Sequence, residues 1–373
     1  MDIILSIGFS VTGFTLLILF QKRELNSVNK FASLLILLWF IRFLLFYVKA
    51  YADLSGIPWL YFIDQSLFFL DGVFLFWFSK SLAKQNSFSM KDSLHLIPFA
   101  FSLIPAVSLF VGLNSSELHQ LYQNIQSQVH SHTHTLSLGE MIFILAIIIH
   151  NFIYLILARR NFKQYDLEIH SSYSTVDKIR LNWLPSFLLI WAILMVLPLV
   201  AYFTNYLNPV LNLSVLEFFF IASMVTIAAY FSLKINGQYY ANLYRNQSSD
   251  KSVNSSKILN EEELNAIYLR LERHMLDKKP YLNESFSLSD LADQIGVKPT
   301  KLSSVLKFQA KVNFYNYVNA FRIEQVKKDL LSTDEQVIII AYNNGFSSKS
   351  TFNKVFKDFT GHSPSEYRRI KTE

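Results

Sequence analysis

The sequence predicts an all-α chain divided between two solvents: a seven-helix transmembrane bundle, then an all-helical domain in which two helix-turn-helix units are joined by a linking helix. Three observations lead there. Of the 373 residues, 51% are hydrophobic and 17% charged, with a mean hydropathy of +0.26, too apolar for a surface that lies wholly in water. Phe, Leu and Ile crowd residues 1–233, while Lys, Glu, Asp, Ser and Asn fill the remainder. The C-terminal part runs through one local pattern twice: short helix, glycine turn, basic second helix.

A hydrocarbon core of roughly 30 Å takes about 20 apolar helical residues. Seven stretches qualify: Ile3–Phe20, Phe31–Tyr51, Trp59–Ser79, Leu94–Leu113, Leu138–Leu157, Leu184–Thr204 and Leu213–Leu233. Met1-Asp2 lacks a basic leader and a small-residue cleavage site, so the first run reads as a retained helix. The loops alternate in charge. Lys22, Arg23 and Lys30 follow the first span, Lys80, Lys84 and Lys91 the third, and Arg159, Arg160, Lys163, Lys178 and Arg180 the fifth. The opposite side has Lys49, and its longest loop, Asn114–Ser137, has no Lys or Arg. The positive-inside rule then places the N-terminus outside and everything after Leu233 in the cytoplasm, as expected of a multi-pass membrane protein.

Ionisable residues inside such spans are costly unless paired. Arg42 and Lys49 lie two helical turns apart, as do Asp64 and Asp71, so each pair shares a face. The Arg42 face is expected to meet Asp71 or Asp64 as an ion pair, either as structural glue or as part of signal detection. The outward loop carries His130, His132 and His134, whose imidazoles fall on one side of an extended chain. They could hold Zn, Cu or Ni, or titrate as a pH sensor, or simply be solvated.

With no Cys, disulfides, thiolate metal sites and thiol nucleophiles are excluded. A phosphate-cradling glycine loop, HExxH, GxSxG and a kinase signature are all missing, so an enzyme is not expected and no cofactor is implied. The expected domains are 1–233, the seven-span region; 234–257, a juxtamembrane segment and flexible linker; 258–279, a connecting amphipathic helix; and 280–371, the tandem helix-turn-helix domain. The connecting helix begins at Asn260, with Glu263 in capping-box spacing. Its stripe of Leu264, Ile267, Tyr268, Leu271 and Met275 either docks on the next domain or pairs with a second copy.

In the first unit Ser287 caps a helix buried through Leu288, Leu291, Ala292 and Ile295, Gly296 turns the chain, and a second helix starts at Pro299. In the second unit Gln336–Asn344 is the first helix, Gly345 the turn, and Ser347 the expected cap of a helix reaching Phe359. The second helices expose short hydrogen-bonding residues and Lys: Lys298, Thr300, Lys301, Ser304 and Lys307 in one, Ser348, Lys349, Ser350, Asn353, Lys354 and Lys357 in the other. Such side chains reach base edges and phosphates of double-stranded DNA. Phe314–Leu331 makes the linking helix, suited to holding two reading heads one DNA turn, about 34–36 Å, apart.

The run from Ala341 to Arg368, with Leu291-Ala292, Gly296 and Phe314–Arg322 leading to Leu330-Leu331, resembles the AraC-type transcription regulators over about the last 90 residues. The resemblance implies that the second helix of each unit enters successive major grooves. It also implies backbone contacts from Pro364–Arg369, with Tyr367, Arg368 and Arg369 on phosphates. Lys298 stands where that family usually has a capping Ser, and Lys311 where it usually has Gly. Val337–Ile340 is more apolar than one buried face requires. The apolar half is similar in architecture to seven-span sensor regions joined to some bacterial AraC-type domains. The expected function is signal-dependent transcription control from the membrane. Its partners would be DNA, the lipid bilayer, a second copy of the chain and a signal that the sequence does not identify.

Overall fold

The computed structural model describes residues 27–51, 59–83, 89–112, 116–121, 138–177, 184–193 and 261–372, with a few isolated residues besides. The chain divides into two compact units, residues 1–163 with 182–237, and residues 164–181 with 238–373. Among the described residues the regular elements are helices, joined by one antiparallel bridge between Tyr173 and Ser287.

In the first unit, α1 (Ser27–Tyr51) and α2 (Leu60–Ala83) pack side by side. Their Leu, Phe, Ile and Trp runs contain no proline, so every backbone N–H past the first turn can reach its carbonyl. Asp71, fully buried, accepts a hydrogen bond from Arg42 Nη1 at 3.0 Å. The guanidinium carbon also lies 3.5 Å from the Phe68 ring centroid and 4.7 Å from that of Trp39, an aromatic lining that favours a cation. Of the two expected partners, Arg42 therefore takes Asp71; Asp64 is buried on the same helix. Gly72 admits the close approach of α5 (Leu138–Ser172), since a Cβ there would lie 2.8 Å from Asn151 Oδ1 and 2.9 Å from Tyr154 Cβ. Asn151 Nδ2 donates to Phe68 O and Ile147 O, both at 3.0 Å.

Two expectations need correction. The fourth stretch, Leu94–Leu113, is not one helix: a 3-10 turn over Met90–Leu96 gives way to α3 (Ile97–Ser102) and α4 (Ile104–Gly112). Pro98 and Pro105 each lack the backbone N–H that would bond to the preceding turn, and each stands at the second position of a new helix, so the run is broken there. The fifth continues well past Leu157 to Ser172, so the stretch assigned to a loop is helical. No Gly or Pro follows Gly139 in it, and Ala158, Phe162, Tyr165 and Ile169 are buried at helical spacing.

Two helices among the described residues, Ile63–Ala83 and Met141–Ser172, are long and apolar enough to cross a membrane. Of the other expected spans, the second coincides with α1, the sixth is described at Leu184–Ile193, and the first at isolated helical positions between Ser10 and Leu17. The seventh, with the loop of His130, His132 and His134, residues 246–256 and Asn260, lies outside the described residues.

The second unit is built on two cores. In one, α6 (Glu261–Lys278) buries Leu264, Ile267, Leu271 and Met275 against Phe286, Leu291, Leu302 and Phe314. The stripe is thus docked on the domain and not offered to a second copy in this conformation. α7 (Leu288–Ile295) and α8 (Pro299–Val305) form the first helix pair. α9 (Phe314–Ser332) gives Phe314, Tyr317 and Val318 to this core, and Ile323, Val326 and Leu330 to the other. That second core is closed by α10 (Val337–Asn343), α11 (Lys349–Thr360) and α12 (Pro364–Thr372), through Ile340, Phe346, Phe352 and Phe356. Val337 and Ile338 also pack against it, which accounts for most of that apolar run.

Capping follows the sequence closely at α7. Ser287 Oγ accepts from Asp290 N at 3.2 Å, Asp290 Oδ2 accepts from Ser287 N at 2.9 Å, and Gly296 ends the helix at φ +67°. α8 is worse served. Lys298 sits at its N-cap with no side-chain bond, and the π-helical turn Leu306–Ala310 beyond it closes on Lys311 at φ +56°. A left-handed conformation costs an L-residue about 1–2 kcal/mol that glycine escapes.

Two outcomes follow from these features. Lys298→Ser and Lys311→Gly should each raise the stability of the C-terminal domain, by about 1 kcal/mol for the cap and about 0.5–1 kcal/mol for the turn, measured by pulse proteolysis in urea. Arg42→Leu or Asp71→Leu alone should cost about 3–5 kcal/mol by stranding a buried charge. The double leucine variant should recover most of the folded yield, and a double variant as poor as the singles would rule out pairing as the reason these residues are tolerated.

Candidate nucleic-acid interface

In α11 the buried residues are Phe352, Val355 and Phe356, at helical spacing in the second core. The opposite side is dictated by the same periodicity: Lys349, Ser350, Asn353, Lys354 and Lys357 are all exposed and recur at intervals of one, three, one and three, one continuous face of a helix. Ser348 is the actual N-cap, its Oγ accepting from Thr351 N at 3.3 Å. The cap thus falls one residue later than Ser347. Ser348 accordingly uses its hydroxyl on the backbone and is half-buried, whereas Ser350 stands exposed at the second helical position.

The first unit presents a smaller face. Leu302, Val305 and Leu306 are buried; Lys298, Thr300 and Lys307 are exposed, with Lys301 and Ser304 half-exposed. Lys301 Nζ is paired with Glu263 of α6. Ser304 Oγ donates to Thr300 O at 3.0 Å, and Lys307 lies over the ring of Phe308 at 5.5 Å. With the π-helical turn following it directly, α8, seven residues long, offers about two straight turns of groove-sized helix.

The C-terminal trio divides. Arg368 donates through Nε to Leu330 O at 3.1 Å and through Nη2 to Glu335 O at 2.8 Å, which ties α12 to the end of α9. Tyr367 packs its ring on Phe356 at 5.5 Å between centroids. Arg369 is exposed. Among the described residues no group of His, Cys, Asp or Glu is placed to hold a metal ion.

Sequence reasoning missed three participants. Thr351 stands beside the cap of α11, and its position three residues after Ser348 was the available signal. Glu263, read only as a capping residue, pairs with Lys301. Arg322, near the middle of α9, is buried; burial pushes its guanidinium down to about 10, which leaves it charged at neutral pH.

Residues 291–370 match a family model described as a helix-turn-helix domain. An uncharacterised HTH-type transcriptional regulator of Staphylococcus aureus (strain COL) is 36% identical over 114 residues, 31% of this chain and 14% of that protein. The melibiose operon regulatory protein of Escherichia coli (strain K12) is 25% identical over 91 residues, 24% of this chain and 30% of its own length. Among solved structures, the C-terminal domain of AraT, a response regulator from Geobacillus stearothermophilus, is 28% identical, covers 28% of this chain and 84% of that one, and has a TM-score of 0.26. The chain thus spans well under half the length of these curated relatives, and what it shares with them is a regulator's helix-turn-helix part. Its C-terminal residues 291–370 carry a helix-turn-helix domain.

Proposed function

We propose that the chain is a membrane-embedded, signal-responsive transcription regulator that reads two successive major grooves with α8 and α11. The observation that carries this is the exposed face of α11, where three lysines flank Ser350 and Asn353 on a helix whose other side is fixed in a core. Lysines supply phosphate contacts that position the domain, and the short polar side chains between them are of the kinds that pair with base edges. α9 spans about 28 Å at 1.5 Å per residue, a spacer of the right order for two heads following one face of the duplex.

Membrane embedding is supported by α5. Met141, Ile142, Leu145, Ile149, Phe152, Ile153 and Ile156 are all exposed on it, an apolar band too continuous for a helix bathed in water. The charge alternation of the loops supports a cytoplasmic C-terminus. The bundle would carry a stimulus from outside or from the bilayer, and a second copy of the chain fits paired DNA half-sites.

Fluorescence anisotropy of the full chain in lipid nanodiscs against random duplexes tests the DNA reading. Affinity should fall steeply with salt, and Lys349→Ala with Lys354→Ala should lessen the log–log slope by about 2, roughly 0.9 per phosphate contact. An unchanged slope would remove α11 from the interface. For the topology, a tag after Glu373 should resist protease added to intact spheroplasts and yield to it after lysis; digestion before lysis would put the domain on the wrong side of the membrane.

A further inference from the structure

Residues 164–181 belong to the same compact unit as the C-terminal domain. Of these, residues 164–177 comprise the end of α5 and a short extended strap that follows. The strap crosses the domain from one helix-turn-helix unit to the other. Ser174 gives both its N–H and its Oγ to Phe286 O, at 3.1 and 2.6 Å, beside the Tyr173–Ser287 bridge that opens the first unit. His170 sets its ring on Tyr315 of α9, 4.9 Å between centroids. Arg322 then holds the strap from below, donating through Nη1 to Ser174 O at 3.1 Å and Thr175 Oγ1 at 3.2 Å, and through Nη2 to Ser174 Oγ at 3.2 Å. Val176 is buried.

The strap delivers Asp177 to the start of α11. Its Oδ2 accepts hydrogen bonds from Ser347 Oγ at 3.1 Å and Ser348 Oγ at 2.9 Å, and its Oδ1 accepts one from Thr351 Oγ1. A carboxylate on three hydroxyls at the N-terminus of a twelve-residue helix stands in a place suited to any anion, because the helix dipole and the hydroxyl donors all face it. The anion that α11 would meet on DNA is a backbone phosphate. Phosphate and carboxylate carry the same sign and compete for the same donors, so they cannot occupy this place together.

We propose that residues 170–177 form an autoinhibitory strap in which Asp177 stands in for a DNA phosphate at the head of α11, so that duplex binding requires its release. This rests on the reading of α11 as a DNA-reading helix. The strap continues directly from α5, whose residues Met141–Ser172 include a membrane-length apolar helix. A shift of that helix along or about its axis would pull on residue 173 first, and release would break the bonds that Arg322 and Phe286 O make to Ser174.

The test uses the full chain in nanodiscs and the same random-duplex anisotropy. Asp177→Ala should bind about tenfold more tightly than the wild type, as expected when the competent state ceases to be the minor one, with Asp177→Asn between the two. Domain stability should fall or stay level in the same variants, because a contact is lost while affinity is gained. The chain contains no Cys, so Asp177→Cys with Thr351→Cys places a lone thiol pair across the contact. Oxidised, this variant should bind DNA at least tenfold more weakly than the same sample after reduction. Equal affinities for wild type and Asp177→Ala would overturn the strap as an inhibitor, as would a cysteine pair that fails to oxidise or binds alike in both states. If wild type, Asp177→Ala and the reduced pair all fail to bind duplex at low salt, α11 is not a DNA-reading helix, and the inference falls with that reading.

Discussion

A single buried guanidinium holds the C-terminal unit together. Arg322 is almost wholly removed from solvent, and a cation so placed must have its donors satisfied or it destabilises the fold by several kcal/mol. It meets the demand with main-chain acceptors drawn from separate parts of the chain: Tyr281 O at 2.7 Å, Asn283 O at 2.9 Å and Ser174 O at 3.1 Å. The turn of the second helix-turn-helix unit closes over the same spot. Gly345 sits at φ +81°, and a Cβ on it would come within 2.6 Å of Tyr281 O and 3.0 Å of Arg322 Nε. One side chain on the linking helix thereby fixes the entry to the first unit, the turn of the second, and the strap. Glycine at 345 is needed twice over, for its backbone angle and for the space.

This arrangement explains what was legible in the sequence and what was not. The turns at Gly296 and Gly345, the cap at Ser287 and the proline start of α8 are local chemistry, set within four residues of where they act, and the sequence displays them. Ser347 and Ser348 are adjacent serines, and only packing of Phe352 and Phe356 into the core decides which of them stands at the cap. The bonds from Arg322 to Ser174 join residues 148 apart in sequence, and no periodicity announces them. Lys311 is intermediate: its place in a resembled family is glycine's, and the structure shows the reason in its left-handed φ of +56°.

The apolar half was read from composition, and composition has the resolution of composition. It finds long apolar helices such as α2 and α5 and misplaces their ends, because helix length is decided by what stops it. Pro98 and Pro105 break the fourth stretch inside its apolar run. Nothing stops the fifth until Ser172, and there the charged residues Arg159, Arg160 and Lys163 mark the edge of an apolar zone without ending the helix. The Arg42–Asp71 pair was anticipated as one of two partnerships because helical periodicity places both aspartates on one face. Selecting Asp71 needed the third dimension, and the Phe68 ring beneath the guanidinium was invisible to a search for charges.

The two proposed reading heads are not equivalent, and the difference bears on how the chain would be controlled. In this conformation each has an acidic residue of its own chain where a phosphate would approach: Glu263 on Lys301 in the first, Asp177 on Ser347, Ser348 and Thr351 in the second. Lys301 and Glu263 are both substantially solvent-exposed, and such pairs contribute only about 0–1 kcal/mol, so a phosphate displaces Glu263 at little cost. Asp177 is different in kind. It is half-buried, bonded to three hydroxyls, and carried on a strap that Arg322 and Phe286 secure along its length. An acid on a loose surface lysine tunes affinity; an acid on an anchored strap divides the molecule into two states. The head with the longer, better-capped helix and the denser lysine face is also the head with the stronger block. That is where control is most effective, because withholding α11 removes most of the available contacts at once, whereas freeing α8 alone leaves a helix of seven residues with too little surface to hold a duplex by itself.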